Sequence, residues 1–129
     1  MGGETDPDRL LSGLAPRLDP EPHGFAVIDG EVPTGLAWVA LVREDEGLTV
    51  IAPQAALARA GLDPGGPWAR ITLTVHSALE AVGLTAAVSA ALAEGGIPAN
   101  MIAGFHHDQI LVPWEQRVDA LSRLKALRG

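Results

Sequence analysis

The chain contains an internal repeat, and this repeat constrains its fold more than any other feature. Residues 39–61 (VALVREDEGLTVIAPQAALARAG) and residues 101–123 (MIAGFHHDQILVPWEQRVDALSR) share the order strand, polar turn, strand, proline, helix at nearly equal length. Pro53 and Pro113 stand at equivalent points, where proline suits a helix start because its φ is preset and it needs no N–H partner. Two copies of one supersecondary unit predict two similar modules.

The strands that precede each hairpin complete the order. Phe25 to Ile28 reads as a short strand that ends at Asp29-Gly30, and residues 37–41 read as the next strand. From Trp68 to Val75 apolar and polar side chains alternate, so Thr72 is expected on the exposed side of a half-buried strand. A short helix is expected from Asp6, ended by Pro16.

The second half continues with a helix, a hairpin and a last helix. Residues 84–93 carry apolar side chains at helical spacing, and residues 100–104 and 110–112 predict the two hairpin strands. The last helix is expected to begin at Pro113, with Val118 among its buried side chains.

Together these patterns predict an α+β chain of two tandem ferredoxin-like units, with antiparallel sheets and helices packed on them. We expect residues 1–6 to be disordered, residues 7–66 to form the first unit and residues 67–129 the second; whether the units share strands stays open.

Charge and composition exclude several function classes. The net charge of −7 argues against a nucleic-acid partner, because phosphate binding needs a basic patch. The chain has no cysteine, so it has neither disulfides nor thiolate metal sites. No secretory signal and no membrane-spanning run is recognisable, and a cytoplasmic location is expected.

The segment from Thr72 to Glu115 resembles the ACT-domain superfamily, and in particular small stand-alone bacterial proteins with two ACT-like units. The resemblance rests on LTVHSALEAVGLTA, on Gly83-Leu84 and Gly96-Ile97, and on the HHDQILVP turn. It extends to the regulatory halves of aspartokinases and to cytosolic arginine sensors. In this chain His76-Ser77 replace the acidic residue that many metabolic ACT domains carry at the head of the loop.

The resemblance implies a regulatory protein that binds a small molecule, an amino acid in view of the family, at an interface between units. The ligand contacts it implies are Ser77, Gly83, Leu84, Asn100 and Met101. The start of a helix near Leu84 leaves N–H groups that favour a carboxylate. Neither a cofactor nor catalysis is expected. The protein is expected to form a homodimer or to bind a partner protein.

A polar cluster of His76, His106, His107 and Asp108 leaves three interpretations open. Turn-stabilising hydrogen bonds that also involve Asn100 are favoured, and ligand binding is the next alternative. A metal site is disfavoured, because adjacent histidines on an extended chain point to opposite sides. Ser77 lacks the setting of a catalytic nucleophile, since no G-x-S-x-G motif is present.

Two functions are favoured by these arguments over a third, that of a metal-dependent enzyme. The first is a non-catalytic regulatory module that binds an amino acid or a similar metabolite. The second is a structural or interaction module that forms a homodimer or docks on a partner enzyme without a ligand. The residues do not identify the ligand or the regulated process.

Overall fold

The computed structural model describes residue 11, residues 13–74 and residues 83–128. The chain divides into two compact units. Residues 1–19 and 69–129 form one of them, here called the split unit, and Pro20–Trp68 form the other, here called the inserted unit. Each unit is described in turn.

The elements fall in the order that the repeat predicts. The strands are β1 (Pro16–Leu18), β2 (His23–Ile28), β3 (Ala40–Glu44), β4 (Gly47–Pro53), β5 (Gly65–Leu73), β6 (Asn100–Ala103) and β7 (Asp108–Pro113). The helices are α1 (Gln54–Arg59), α2 (Leu84–Glu94) and α3 (Arg117–Ala126), and a 3-10 turn (Trp114–Gln116) precedes α3.

In the inserted unit, β2 and β3 flank β4 in antiparallel pairing. Residues of β2 pair with β4 from His23 opposite Pro53 to Ile28 opposite Leu48, and the first residues of β5 lie on the other side of β2. Because side chains alternate between faces, one face holds the buried core and packs on α1. That core consists of Ala26, Ile28, Val50, Ala52 and Leu57.

In the split unit, β5 lies between β1 and β7, and β6 forms the edge beside β7. β1 pairs antiparallel with β5, and β6 pairs antiparallel with β7. Helices α2 and α3 pack against each other and bury their apolar side chains with those of the strands. The largest fully buried members of this core are Leu14, Ile71, Leu73, Leu92, Ile110 and Leu124.

The two prolines of the repeat confirm their predicted equivalence. Pro53 and Pro113 both have φ −55° and ψ 138°, and a helical turn follows each of them. In the inserted unit α1 begins at once, whereas in the split unit the 3-10 turn comes first and α3 begins at Arg117. The expectation that the last helix begins at Pro113 is therefore corrected by one turn.

Val118 lies outside the buried side of α3. An α-helix turns by about 100° per residue, so Val118 stands about 120° away from Leu124 around the helix axis, whereas Ala120 is one turn from Leu124. Val118 is 69% exposed, and the buried side holds Ala120 and Leu124. The predicted burial of Val118 is wrong for this reason.

Three strand predictions also need correction. The strand expected at residues 37–41 begins at Ala40 and runs to Glu44, because a tight turn at residues 45–46 lets pairing with β4 continue. Pro16 does not simply end a helix; it begins β1, which pairs with the end of β5. Thr72 is only 5% exposed, because β1 and β7 flank its strand and its hydroxyl donates to Gln109. The helix expected from Asp6 lies largely outside the described residues.

Candidate functional site

Helix α2 begins at a glycine in a conformation that other residues rarely adopt. Gly83 is the N-cap of α2, with φ 104° and ψ −29°. Among the residues that the structure describes, no side chain caps this end, and the first turn contains no acidic residue. The first backbone hydrogen bond of the helix joins the Ala87 N–H to the Gly83 carbonyl at 2.9 Å. The N–H groups before Ala87 therefore have no acceptor within the helix.

These N–H groups give the start of α2 a partial positive charge. The aligned peptide dipoles and the unbonded N–H groups both favour an anion at this end of a helix. Leu84 is buried in the core of the split unit, which anchors the first turn. The arrangement can accept a carboxylate without any basic side chain.

Asn100 and Met101 occupy the start of β6 in the same unit. Asn100 is exposed and lies opposite Leu111, and Met101 lies opposite Ile110 and packs against the core that contains Leu84. The Ser89 hydroxyl on α2 donates to the Met101 Sδ at 3.8 Å, so the middle of α2 lies beside β6. Leu84 and Met101 thus share one core, and Asn100 offers an amide donor and acceptor at its edge.

Two of the predicted site residues cannot be placed. His76 and Ser77 lie outside the described residues, as does most of the loop that joins β5 to α2. Their contribution to the site stays a prediction.

The other predicted cluster forms the turn between β6 and β7. The Gly104 N–H donates to the His107 carbonyl at 3.2 Å, and Asp108 lies opposite Ala103. The ring centroids of His106 and His107 are 6.5 Å apart, and the rings are tilted by 53°. Asn100 lies at the opposite end of β6, about 10 Å from Ala103 at the usual rise per strand residue.

Titratable groups in this turn influence one another. Burial raises the pKa of the Asp108 carboxyl above its ordinary value, and the charge of His107 opposes part of that rise. The Nδ1 atom of His107 is buried, and no described residue forms a hydrogen bond with it. Within residues 11, 13–74 and 83–128, no group of three or more His, Asp or Glu side chains is placed to hold a metal ion.

A second polar group in the split unit was not anticipated from the sequence. The Gln109 Oε1 accepts hydrogen bonds from Arg70 Nε and from the Thr72 hydroxyl, each at 2.9 Å. Arg70 also lies 3.6 Å from the Asp19 carboxylate. The period-two pattern of β5 places Arg70 and Thr72 on one face, but only the pairing of β5 with β7 brings Gln109 to them.

Comparison with family models decides the family. An ACT-domain model matches residues 2–69, and a second ACT-domain model matches residues 68–126. The chain belongs to the ACT-domain family. Tandem ACT domains account for the repeat and for the ferredoxin-like α+β architecture of this ACT protein.

Solved structures with the same fold include proteins of different kinds. A Vibrio cholerae protein of unknown function, described as a possible transport protein, is 40% identical, with a TM-score of 0.85 and 95% of each chain covered. An Agrobacterium tumefaciens protein is 19% identical, with a TM-score of 0.72 and 89% of each chain covered. The ligand-free regulatory subunit of aspartate kinase from Thermus thermophilus is 13% identical, with a TM-score of 0.63, 87% of this chain covered and 95% of that one.

No curated protein matches the ACT protein significantly. Among the residues that the structure describes, none of the helices is both long enough and apolar enough to cross a membrane.

Proposed function

We propose that this ACT-domain protein is a non-catalytic regulatory module that binds a small metabolite, an amino acid in the first instance. The site we assign comprises the start of α2 at Gly83 and Leu84 and the start of β6 at Asn100 and Met101, with Ser77 in the preceding loop. The proposal rests mainly on one observation: in a chain of two ACT domains, α2 begins without a cap from any side chain in the described part of the chain.

The chemistry of an amino acid suits these groups. Its carboxylate would accept hydrogen bonds from the N–H groups at the start of α2, where the helix dipole adds to the attraction. Gly83 has no side chain to block a close approach. The exposed Asn100 amide is able to bond either charged end of an amino acid. The aspartate kinase regulatory subunit from Thermus thermophilus shares this fold, which supports a regulatory role.

A thermal-shift screen against the common amino acids tests this function. A ligand that binds only the folded chain stabilises it by about 2.7 kcal/mol at a concentration of 100 Kd, which raises the Tm by several degrees. The corresponding amino-acid amides, which lack the carboxylate, should give no shift. A panel in which no amino acid raises the Tm contradicts the proposal.

A pair of glycine variants then places the ligand. Gly83→Ala should lower stability by about 1–2 kcal/mol, because alanine is strained at a positive φ. It should also weaken binding of the amino acid found in the screen. Gly30→Ala is the matched control, since Gly30 has φ 102°, nothing within 4 Å of an added Cβ and a position in the inserted unit. Equal loss of binding in both variants would argue against the start of α2 as the site.

One row of side chains favours a second function. In that case the protein is an interaction module that forms a homodimer or docks on a partner enzyme without a ligand. Val27 and Val42 lie on either side of Thr49 in register across β2, β4 and β3, on the face away from the core. They are 64% and 46% exposed. Light scattering decides this case: a dimer that Val27→Glu dissociates and Val27→Thr preserves would support it, and a monomer would exclude the homodimer.

A further inference from the structure

The inserted unit contains a cavity beside a loop that stands where the split unit has a helix. In the split unit α2 stands between the first strand and the hairpin, whereas in the inserted unit residues 29–39 take that place without forming a helix. A cavity of about 170 Å³ lies between this loop and α1. Its lining consists of Pro33, Thr34, Gly35, Leu36, Ala37, Ala56, Arg59 and Ala60.

Most of the side chains that line the cavity are apolar, and backbone groups add polar surface. Pro33, Leu36 and the three alanines offer hydrocarbon surface, and Thr34 and Arg59 add a hydroxyl and a guanidinium. Ala56 is buried, and Leu36 is half-buried and packs against the core of this unit. The cavity therefore has an apolar wall, backed by the core, and one cationic group.

Arg59 makes no hydrogen bond or ion pair with any residue in the described ranges. On α3 of the split unit, by contrast, the Arg123 Nε lies 3.2 Å from the Asp119 carboxylate and packs tightly on Gly95 at the end of α2. The free guanidinium stands in a chain whose net charge is −7. An anion would be repelled by most of this surface and attracted at Arg59.

The size of the cavity favours a small occupant. Drug-sized ligands need pockets of about 300–1,000 Å³, so a volume of about 170 Å³ suits a compact molecule. An arginine guanidinium binds carboxylates through two parallel hydrogen bonds, which favours a carboxylate over a spherical anion.

We propose that this cavity binds a short-chain aliphatic carboxylate, whose carboxylate pairs with Arg59 and whose hydrocarbon part contacts Leu36 and Ala56. This site is separate from the one assigned at the start of α2. It would give the inserted unit a ligand of its own, in the place where the split unit has a helix.

Isothermal titration of the full chain with isovalerate tests the proposal, with isovaleramide as the uncharged probe. A hydrogen bond to a charged group contributes about 1.5–3 kcal/mol, so the amide should bind about 10- to 100-fold more weakly. Arg59→Gln should weaken isovalerate binding by the same factor. Arg43→Gln is the matched control, because Arg43 is exposed on β3 of the same unit and does not line the cavity; it should bind like the unchanged chain.

A steric variant tests the cavity itself rather than the charge. Ala37 is exposed and lines the cavity, so Ala37→Phe keeps Arg59 and fills part of the space. It should abolish isovalerate binding while circular dichroism and the Tm stay near those of the unchanged chain.

Three outcomes would overturn the proposal. The first is that isovalerate at about 10-fold molar excess over roughly 1 mM protein gives no heat of binding. The second is equal affinity for the acid and the amide, and the third is unchanged isovalerate affinity in Arg59→Gln. If Gly83→Ala abolishes isovalerate binding and Arg59→Gln does not, the acid occupies the site at α2. That result would support the proposed function and refute this cavity as the site.

Discussion

The inserted unit and the split unit are built from the same hairpin and helix, yet they bury different amounts of apolar surface. In the split unit, α2 and α3 pack on each other and form one continuous core with β5 and β7. In the inserted unit only α1 packs on the sheet, and the loop at residues 29–39 takes the place of a second helix.

The difference shows how one repeat serves two purposes. A second helix fills the space beside the first and gives a larger, better-packed core, which stabilises the fold. A loop in that position leaves space and a free arginine beside a smaller core. Truncating a core side chain is expected to cost more unfolding free energy in the more completely packed unit. The residues around the truncated side chain cannot move in to fill the space it leaves.

The largest expected effect tests this difference in packing. Leu92→Ala on α2 and Leu57→Ala on α1 each remove a side chain that is fully buried. Such changes cost about 2–5 kcal/mol of unfolding free energy, more where the surroundings stay rigid. Leu92→Ala should lie near the upper end and Leu57→Ala near the lower end, since Leu36 beside the cavity is able to move toward the void.

Urea unfolding followed by circular dichroism measures both variants, with the unchanged chain as reference. A larger loss in Leu57→Ala than in Leu92→Ala would mean that the inserted unit is the more rigidly packed of the two. The split unit would then have the core that adjusts more easily to a lost side chain.

A smaller effect is expected on the sheet faces that point away from the cores. Gln109→Ala removes the acceptor of the buried Thr72 hydroxyl and of Arg70, and we expect it to cost about 1–2 kcal/mol. Thr49→Ala in the inserted unit breaks a hydrogen bond from an exposed hydroxyl to the Glu44 carboxylate and should cost less than about 0.5 kcal/mol. Urea midpoints of the two variants check the order, and equal losses would contradict it.

The smallest effect concerns the pH dependence of the β6–β7 turn. Because burial raises the pKa of Asp108 in the folded chain, ionisation of this carboxyl opposes folding. Its destabilising effect is absent below the ordinary pKa of aspartate and appears as the pH rises through the raised value. Asp108→Asn cannot ionise, so its stability relative to the unchanged chain should increase as the pH rises through the acidic range and then level off.

Unfolding midpoints between about pH 3 and pH 6.5 measure that difference. Asp45→Asn, in the exposed turn between β3 and β4, is the matched control from the inserted unit. A stability difference between Asp108→Asn and Asp45→Asn that does not change with pH would refute the role of burial at Asp108.

Much of the fold could be predicted from local patterns, and each wrong prediction has an identifiable physical cause. The equivalence of Pro53 and Pro113 is confirmed because proline restricts φ wherever it stands. The predicted burial of Val118 was wrong because Val118 stands about 120° from Leu124 around α3, outside the side that Ala120 and Leu124 bury. Thr72 was expected to be exposed, since its polarity does not reveal that strands flank β5 on both sides.

Some positions of the candidate sites could be predicted from the sequence, and others could not. Gly83 and Leu84 were predicted from the family pattern, and the structure describes them at the start of α2. The boundary between residues 66 and 67 and the cytoplasmic location stay predictions, as do the binding roles of all five site residues, Ser77, Gly83, Leu84, Asn100 and Met101. The cavity beside Arg59 was not predicted, because its walls come from a loop and a helix about 20 residues apart in the chain.

The sequence by itself determined the repeat, the alternation of strands and helices and the membership of the ACT family, because these depend on the spacing of residues along the chain. The tertiary structure alone decided which repeat has a second helix packed on its sheet and where Gln109 and Arg59 lie. Such features depend on which elements meet in space. The residues adjacent in sequence do not indicate which distant residues lie across a sheet or a cavity.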